Sequence, residues 1–303
     1  MAIRCYPRDV GLGLRMVTVM FLLGAIHVAL VAFLLSLGAP ALFVVLVAAG
    51  MLFFQYWCSD RLALFSAGAR VVEADEEPEL HGIVDRLCAL ADLPKPRVAV
   101  AESDMPNAFA TGRTPKSAVI CVTTGLVRRL DPPELEAVLA HELSHVAHRD
   151  VAVMTLASAG GMLAGLMARF ALELGILSSG DDDDDSRGSG VSFVLVVLVS
   201  ACTYVIAFVL TRILSRAREL SADRGAAVVT GSPSTLAAAL VKVTGEMGAI
   251  PTRDLRAAEP LNAFYFAPAR ARGFSLSSLF ATHPSLDRRL EQLTELERSM
   301  GGA

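Results

Sequence analysis

The sequence predicts a mainly α-helical chain with a small β-sheet, crossing a membrane four times. Three observations carry that prediction. The chain has 303 residues, 53% of them hydrophobic, and its mean hydropathy of +0.52 is too high for a typical soluble protein. The apolar residues gather in four long runs, each near the roughly 20 residues that a helix needs to cross a bilayer core. Polar segments between and after those runs carry helix and strand patterns of their own.

The first run, Met16 to Leu37, has no charged side chain other than His27. It is too apolar for too long to be a signal peptide, and no A-x-A-like cleavage site followed by a polar mature start appears. Gly38-Ala39-Pro40 then turns the chain tightly into a second uncharged run, Pro40 to Cys58, which ends on Tyr56 and Trp57 as interfacial anchors. The third run, Val151 to Leu177, is less uniform and carries Arg169 and Glu173. Its Gly160-Gly161 and Gly165 suit close helix packing in a membrane. The fourth, Val191 to Leu210, is uncharged.

Four spans divide the chain into a membrane hairpin (residues 1–58), a polar segment (59–150), a second hairpin with an acidic loop (151–211) and a second polar segment (212–303). Basic residues set the orientation. Arg4, Arg8 and Arg15 precede the first span, Arg61 and Arg70 follow the second, and Arg212, Arg216 and Arg218 follow the fourth. All of these fall on one side, expected to be the cytoplasm, with both termini and both polar segments. The run Asp181 to Asp185 lies on the other side and reads as a solvated loop rather than a calcium site.

Within 59–150, Pro78 to Ala91 has the stripe of an amphipathic helix (Leu80, Ile83, Val84, Leu87, Leu90). Arg97 to Ala101 and Ser117 to Thr124 read as strands, and Met105 to Gly112 reads as a turn-rich connection between them. Asp131-Pro132-Pro133-Glu134 opens the next helix, with Asp131 as N-cap, Pro132 in the first turn and Glu134 where a capping box places an acid. Leu135, Val138, Leu139, Leu143 and Val146 form its buried stripe.

That helix contains His141-Glu142-Leu143-Ser144-His145. Helix positions four apart share a face, so both imidazoles can address one ion. Glu142 is close enough to accept a proton from a water bound there. This is the H-E-x-x-H pattern of zinc-dependent peptidases. A chance pattern on a surface helix is the plain alternative. The flanking Glu134, Glu136, His148, Arg149 and Asp150 argue for a water-facing helix rather than one inside an apolar span. A third ligand is expected from a second helix, and Glu219 supplies it in Arg218-Glu219-Leu220-Ser221-Ala222-Asp223. Asp223, four residues on, shares its face and would accept a hydrogen bond from a ligand imidazole. An ordinary charged face flanked by Arg216, Arg218 and Arg224 is the alternative there.

These motifs, taken in order, resemble those of HtpX-type membrane zinc metallopeptidases, relatives of the zinc-type prenyl-protein CAAX endopeptidase. The resemblance covers the first hairpin, N-A-F-A-T-G at Asn107 to Gly112, H-E-L-S-H-V-A-H-R-D at His141 to Asp150, A-R-E-L-S-A-D-R at Ala217 to Arg224, and T-H-P-S-L-D-R-R-L at Thr282 to Leu290. It implies a zincin-like cytoplasmic metallopeptidase domain with one zinc ion per chain, held by His141, His145 and Glu219. Glu142 would be the general base and Asn107 would contact substrate backbone. His283 would stabilise the oxyanion or cap the metal, and Arg289 would act near the same site. Asp223 and Asp150 would support the ligands, while His148 has no assigned role. The resemblance further implies a cell-membrane enzyme that cuts misfolded or damaged membrane proteins, together with other membrane proteases.

Three rivals use the same residues: CAAX processing of prenylated tails, intramembrane proteolysis, and a non-catalytic zinc-binding scaffold. Four spans argue against the first, the charged flanks of the motif against the second, and retention of Glu142 against the third. Cys5, Cys58, Cys88, Cys121 and Cys202 form no C-x-x-C and read as small hydrophobes. A net charge of −4 without a basic tract excludes a nucleic-acid binder.

Overall fold

A computed structural model describes residues 10–36, 41–155, 157, 164–165, 186–247 and 283–301. Its elements are helix α1 (Val10–Ser36), helix α2 (Ala41–Ser66), strand β1 (Ala69–Val72), helix α3 (Pro78–Ala91), strands β2 (Arg97–Ala101), β3 (Ala108–Thr111) and β4 (Val119–Thr123), and short helix α4 (Thr124–Val127). Helices α5 (Pro132–Ala147), α6 (Ser186–Thr230), α7 (Pro233–Met247) and α8 (Leu286–Gly301) follow. The fold is therefore mainly helical with one small sheet, as the sequence pattern indicates.

Two compact units divide the chain. One comprises Gly13–Trp57 and Val153–Leu214. Two helices among the described residues are long and apolar enough to cross a membrane, Val10–Ser36 and the stretch from Val194 onward in α6. Their side chains are largely exposed, as at Phe21 and Val28 of α1, which is the reverse of a soluble core helix. Inside this unit Val19 and Leu23 pack with Ala157, Ala207 and Leu214, and Leu30 and Leu34 pack with Ala164. The second expected span is helical as α2. Most of the third, residues 156 and 158–163 and 166–177, lies outside the described residues, and so does the acidic run 181–185.

The other unit holds Cys58–Ala152 and Ser215–Ala303 with the first twelve residues. Its sheet runs in the order β1-β2-β4-β3. The central strands β2 and β4 are parallel, while β1 and β3 pair antiparallel to them at the two edges. Central β4 (Val-Ile-Cys-Val-Thr) is buried at every position, the burial that a β-branched run without alternation predicts. Helices α3 and α5 pack together on the sheet, and α7 and α8 complete the layer. Leu87, Ile120, Leu126, Leu139, Leu143, Leu236, Leu240 and Leu293 form the centre of this core.

The expected connection from Met105 to Gly112 is instead strand β3, with β1 as a further strand. Pairing with β4 along one edge decides this: Ala108 to Thr111 register against Val122 to Val119. Pro106 and Gly112, which suggested a turn, flank it. Gly112 closes the strand at φ +121°, where a Cβ atom would lie 2.7 Å from the Ala118 Cα. Gly112→Ala should therefore destabilise the fold by about 1–3 kcal/mol, combining backbone strain with overpacking. Thermal unfolding in detergent checks this, and an unchanged midpoint would contradict the close approach.

Candidate metal centre

Helix α5 starts where its sequence signals place it. Pro132 occupies the first turn, and the Glu134 carboxylate accepts the Asp131 backbone N–H at 2.9 Å. Lys242 of α7 lies 2.9 Å from the same carboxylate. One face of α5 meets β3, and other faces meet α3 and α7. The helix is consequently buried almost all round, so the expected water-facing motif is instead enclosed. His141 and Glu142 are only 1% and 4% exposed. The flanking charges that suggested open water stand at the helix ends, with Arg149 exposed and Asp150 buried.

His141 and His145 direct their Nε2 atoms at each other across 3.2 Å. Glu219 of α6 reaches both, with Oε2 3.6 Å from His141 Nε2 and Oε1 3.5 Å from His145 Nε2. Among the described residues these three form a group able to hold a metal ion. Neighbouring ligands on a tetrahedral zinc with bonds of about 2.0–2.1 Å are roughly 3.3 Å apart, close to all three separations.

The surroundings show why a cation fits. His141 Nδ1 lies 2.9 Å from Asp223 Oδ1, and His145 Nδ1 lies 2.6 Å from Asp150 Oδ2. Each carboxylate holds a proton on Nδ1 and leaves Nε2 as a lone pair. Two imidazole lone pairs and the Glu219 carboxylate then converge, an arrangement that repels itself without a positive charge between them. Formal charge agrees. Four buried carboxylates (Glu142, Asp150, Glu219, Asp223) face two buried guanidiniums (Arg218, Arg289), which leaves −4 + 2 = −2 with neutral histidines. A divalent ion neutralises that remainder.

In the metal-free protein a proton takes that place. Burial opposes charge on His141, but Asp223 and Glu219 outweigh it and raise the ring to about 9. The proton must leave for Nε2 to bind a metal. Metal uptake near neutral pH should therefore release about one proton, and apparent affinity should fall roughly tenfold per pH unit below 9. Above 9 this dependence should flatten. Metal titration against a competing chelator across this range checks it; affinity independent of pH from 7 to 9 would contradict a protonated His141.

Glu142 Oε2 accepts the Ala110 backbone N–H of β3 at 2.9 Å. Burial pushes its pKa up with help from Glu219, against the opposing pull of His141, His145 and the Ala110 amide. Asn107, at the entry to β3, is fixed through its backbone: its N–H donates to Thr123 Oγ1 at 2.9 Å, and its carbonyl accepts the Thr123 N–H at 2.9 Å. The remaining buried groups support the ligands. Arg289 Nε and one terminal nitrogen grip Asp223 at 2.7 and 2.6 Å, so Arg289, expected near the same site, stands behind His141. A guanidinium fork matched to a carboxylate holds it in one orientation. His283 Nδ1 lies 2.9 Å from Glu219 Oε2, against the third ligand atom. His148 Nδ1 lies 2.8 Å from the Ser144 carbonyl of its own helix. Two participants escape sequence reading: the Ala110 amide, which is backbone, and Arg218, whose Nε lies 3.0 Å from Asp150 Oδ1.

A family model described as peptidase family M48 matches residues 74–297, which covers both helices of this cluster. The chain belongs to peptidase family M48. It is a metalloprotease of the HtpX type within that family. It is 54% identical over 298 residues to "Protease HtpX homolog 1" of Streptomyces coelicolor, covering 98% of this chain and 97% of that relative. It is 50% identical to "Protease HtpX homolog" of Moorella thermoacetica, covering 96% of each. With "Protease HtpX homolog 2" of Methanosarcina acetivorans it shares 46% identity, over 98% of this chain and 99% of the other. The crystal structure of S. mikatae Ste24p shares the M48 chain's fold at a TM-score of 0.50 and 19% identity, covering 94% of this chain and 66% of that one.

Proposed function

We propose that this M48 chain is a multi-pass membrane zinc endopeptidase with four spans, its active site and both termini in the cytoplasm. We further propose that it cleaves misfolded or damaged membrane proteins, with the bilayer and other membrane proteases as partners. The observation that carries the reading is the buried His141–His145–Glu219 cluster with Glu142 beside it. A structural zinc needs no base beside it, and Glu142 is neither a ligand nor a support of one. The basic residues flanking the spans support the orientation.

His141, His145 and Glu219 would hold one zinc ion, which when bound polarises the scissile carbonyl and acidifies water. Glu142 accepts the proton of the attacking water and returns it to the leaving amine. The Ala110 N–H fixes Oε2 of Glu142, leaving Oε1 for that exchange. Asn107 stands at the start of the edge strand, where a peptide backbone can be positioned. His283 orients Glu219, and it stands close enough to the ligands to serve a developing oxyanion.

The test is cleavage of an unfolded membrane protein by the purified chain in detergent. Cleavage should vanish with chelator, return with zinc, and spare the same protein when folded. Cleavage insensitive to chelator would sink the metallopeptidase reading, and equal cutting of the folded protein would sink the quality-control one.

A further inference from the structure

Each ligand histidine is backed by an aspartate, and each aspartate by an arginine. Arg289 grips Asp223, which holds His141. Arg218 Nε lies 3.0 Å from Asp150 Oδ1, while Asp150 Oδ2 lies 2.6 Å from His145 Nδ1. Arg218 and Asp150 are 8% and 1% exposed, so this pair is formed away from water.

We propose that Arg218 is a positioning residue of the metal centre, acting on His145 through Asp150; the proposal rests on the metal-centre reading above. Two features separate it from an ordinary buried ion pair. Arg218 precedes Glu219 on α6, so one helix turn provides both a ligand and the clamp on another ligand's support. Asp150 also needs that clamp, because it lies beyond the end of α5, after Arg149 at φ +55°. The left-handed turn brings the carboxylate back to His145, five residues earlier, and Arg218 holds the other oxygen in place. Asp223 has its own partner in Arg289, on α8. The stretch Arg218 to Asp223 thus governs all three ligands: Glu219 itself, His141 through Asp223, and His145 through Asp150. Without Arg218, Asp150 loses its countercharge and its orientation, and His145 loses its fixed ring.

Zinc affinity and cobalt(II) absorption of the full-length chain in detergent test this, read beside thermal unfolding of the metal-free form. Arg218→Met should weaken zinc binding by about 10–100-fold, the range for a lost outer support, and should alter the cobalt spectrum. Arg218→Lys, which keeps the charge but not the guanidinium nitrogen now 3.0 Å from Asp150 Oδ1, should fall between Met and wild type. Arg218→Met combined with Asp150→Asn should bind zinc no more weakly than Asp150→Asn alone, because both act along one path. An affinity within about twofold of wild type in Arg218→Met, with only the unfolding midpoint lowered, would overturn the proposal and leave a stabilising ion pair. Additive losses in the double variant would overturn it as well. Should Arg218→Met fail to fold, the double variant, which strands no charge, decides alone by the same comparison. A wild-type chain that binds no zinc would overturn the metal centre and this proposal together.

Discussion

Glu142→Gln should bind zinc as the wild type does and cleave unfolded protein about 10²–10⁴-fold more slowly, the usual contribution of a positioned general base. The substitution is nearly isosteric, and the new amide oxygen can still accept the Ala110 N–H now held at 2.9 Å. The ligands at His141, His145 and Glu219 are untouched, so any loss falls on proton transfer. Burial raises the Glu142 pKa toward working pH, although the nearby imidazoles oppose it. A base tuned upward accepts the water's proton more readily and keeps it until the amine departs. Parallel zinc titrations and cleavage assays on both forms separate binding from chemistry. Undiminished cleavage by the glutamine form would remove Glu142 from the reaction.

Asp223→Ala should be the most destabilising single change in the centre. Asp223 is fully buried, and its carboxylate joins the Arg289 fork to His141 Nδ1. Removing it strands a guanidinium that is 2% exposed, at a cost of about 3–5 kcal/mol. It also frees the His141 ring, which should weaken metal binding by about 10–100-fold. Pairing it with Arg289→Met distinguishes the two effects. The double variant strands no charge and should regain much of the stability, but its metal affinity should stay low because His141 is still unsupported. Unfolding midpoints in chelator and zinc titrations read these separately. Equal destabilisation of the single and double variants would refute the stranded-charge account.

What the sequence reveals about this centre follows from spacing along helices. H-E-x-x-H and E-x-x-x-D each fix their members on a single turn, so His141, Glu142, His145, Glu219 and Asp223 are legible as groups. The helix over Pro78 to Ala91 and the strand over Arg97 to Ala101 are legible for the same reason, since their periodicity is local. Strand β3 is not, because four residues of Ala-Phe-Ala-Thr become a strand only through their partner β4. Nor is the role of Arg218, which looks like one more cation in a charged segment until Asp150 is seen beside it. Arg289 is legible as a neighbour of the site. That it grips Asp223 depends on a contact across 66 residues.

The ligands are also spread along the chain, and that spread sets a schedule. His141 leaves the ribosome long before Glu219, and Arg289 follows 289 − 141 = 148 residues after it. At about 5–20 residues per second, roughly 7–30 s separate the two. A nascent chain in that interval carries the two histidines without their third ligand, and then a ligand trio without the clamp behind Asp223. Proteolytic competence therefore cannot arise before Glu219 has been made, and the clamp on Asp223 follows only with Arg289.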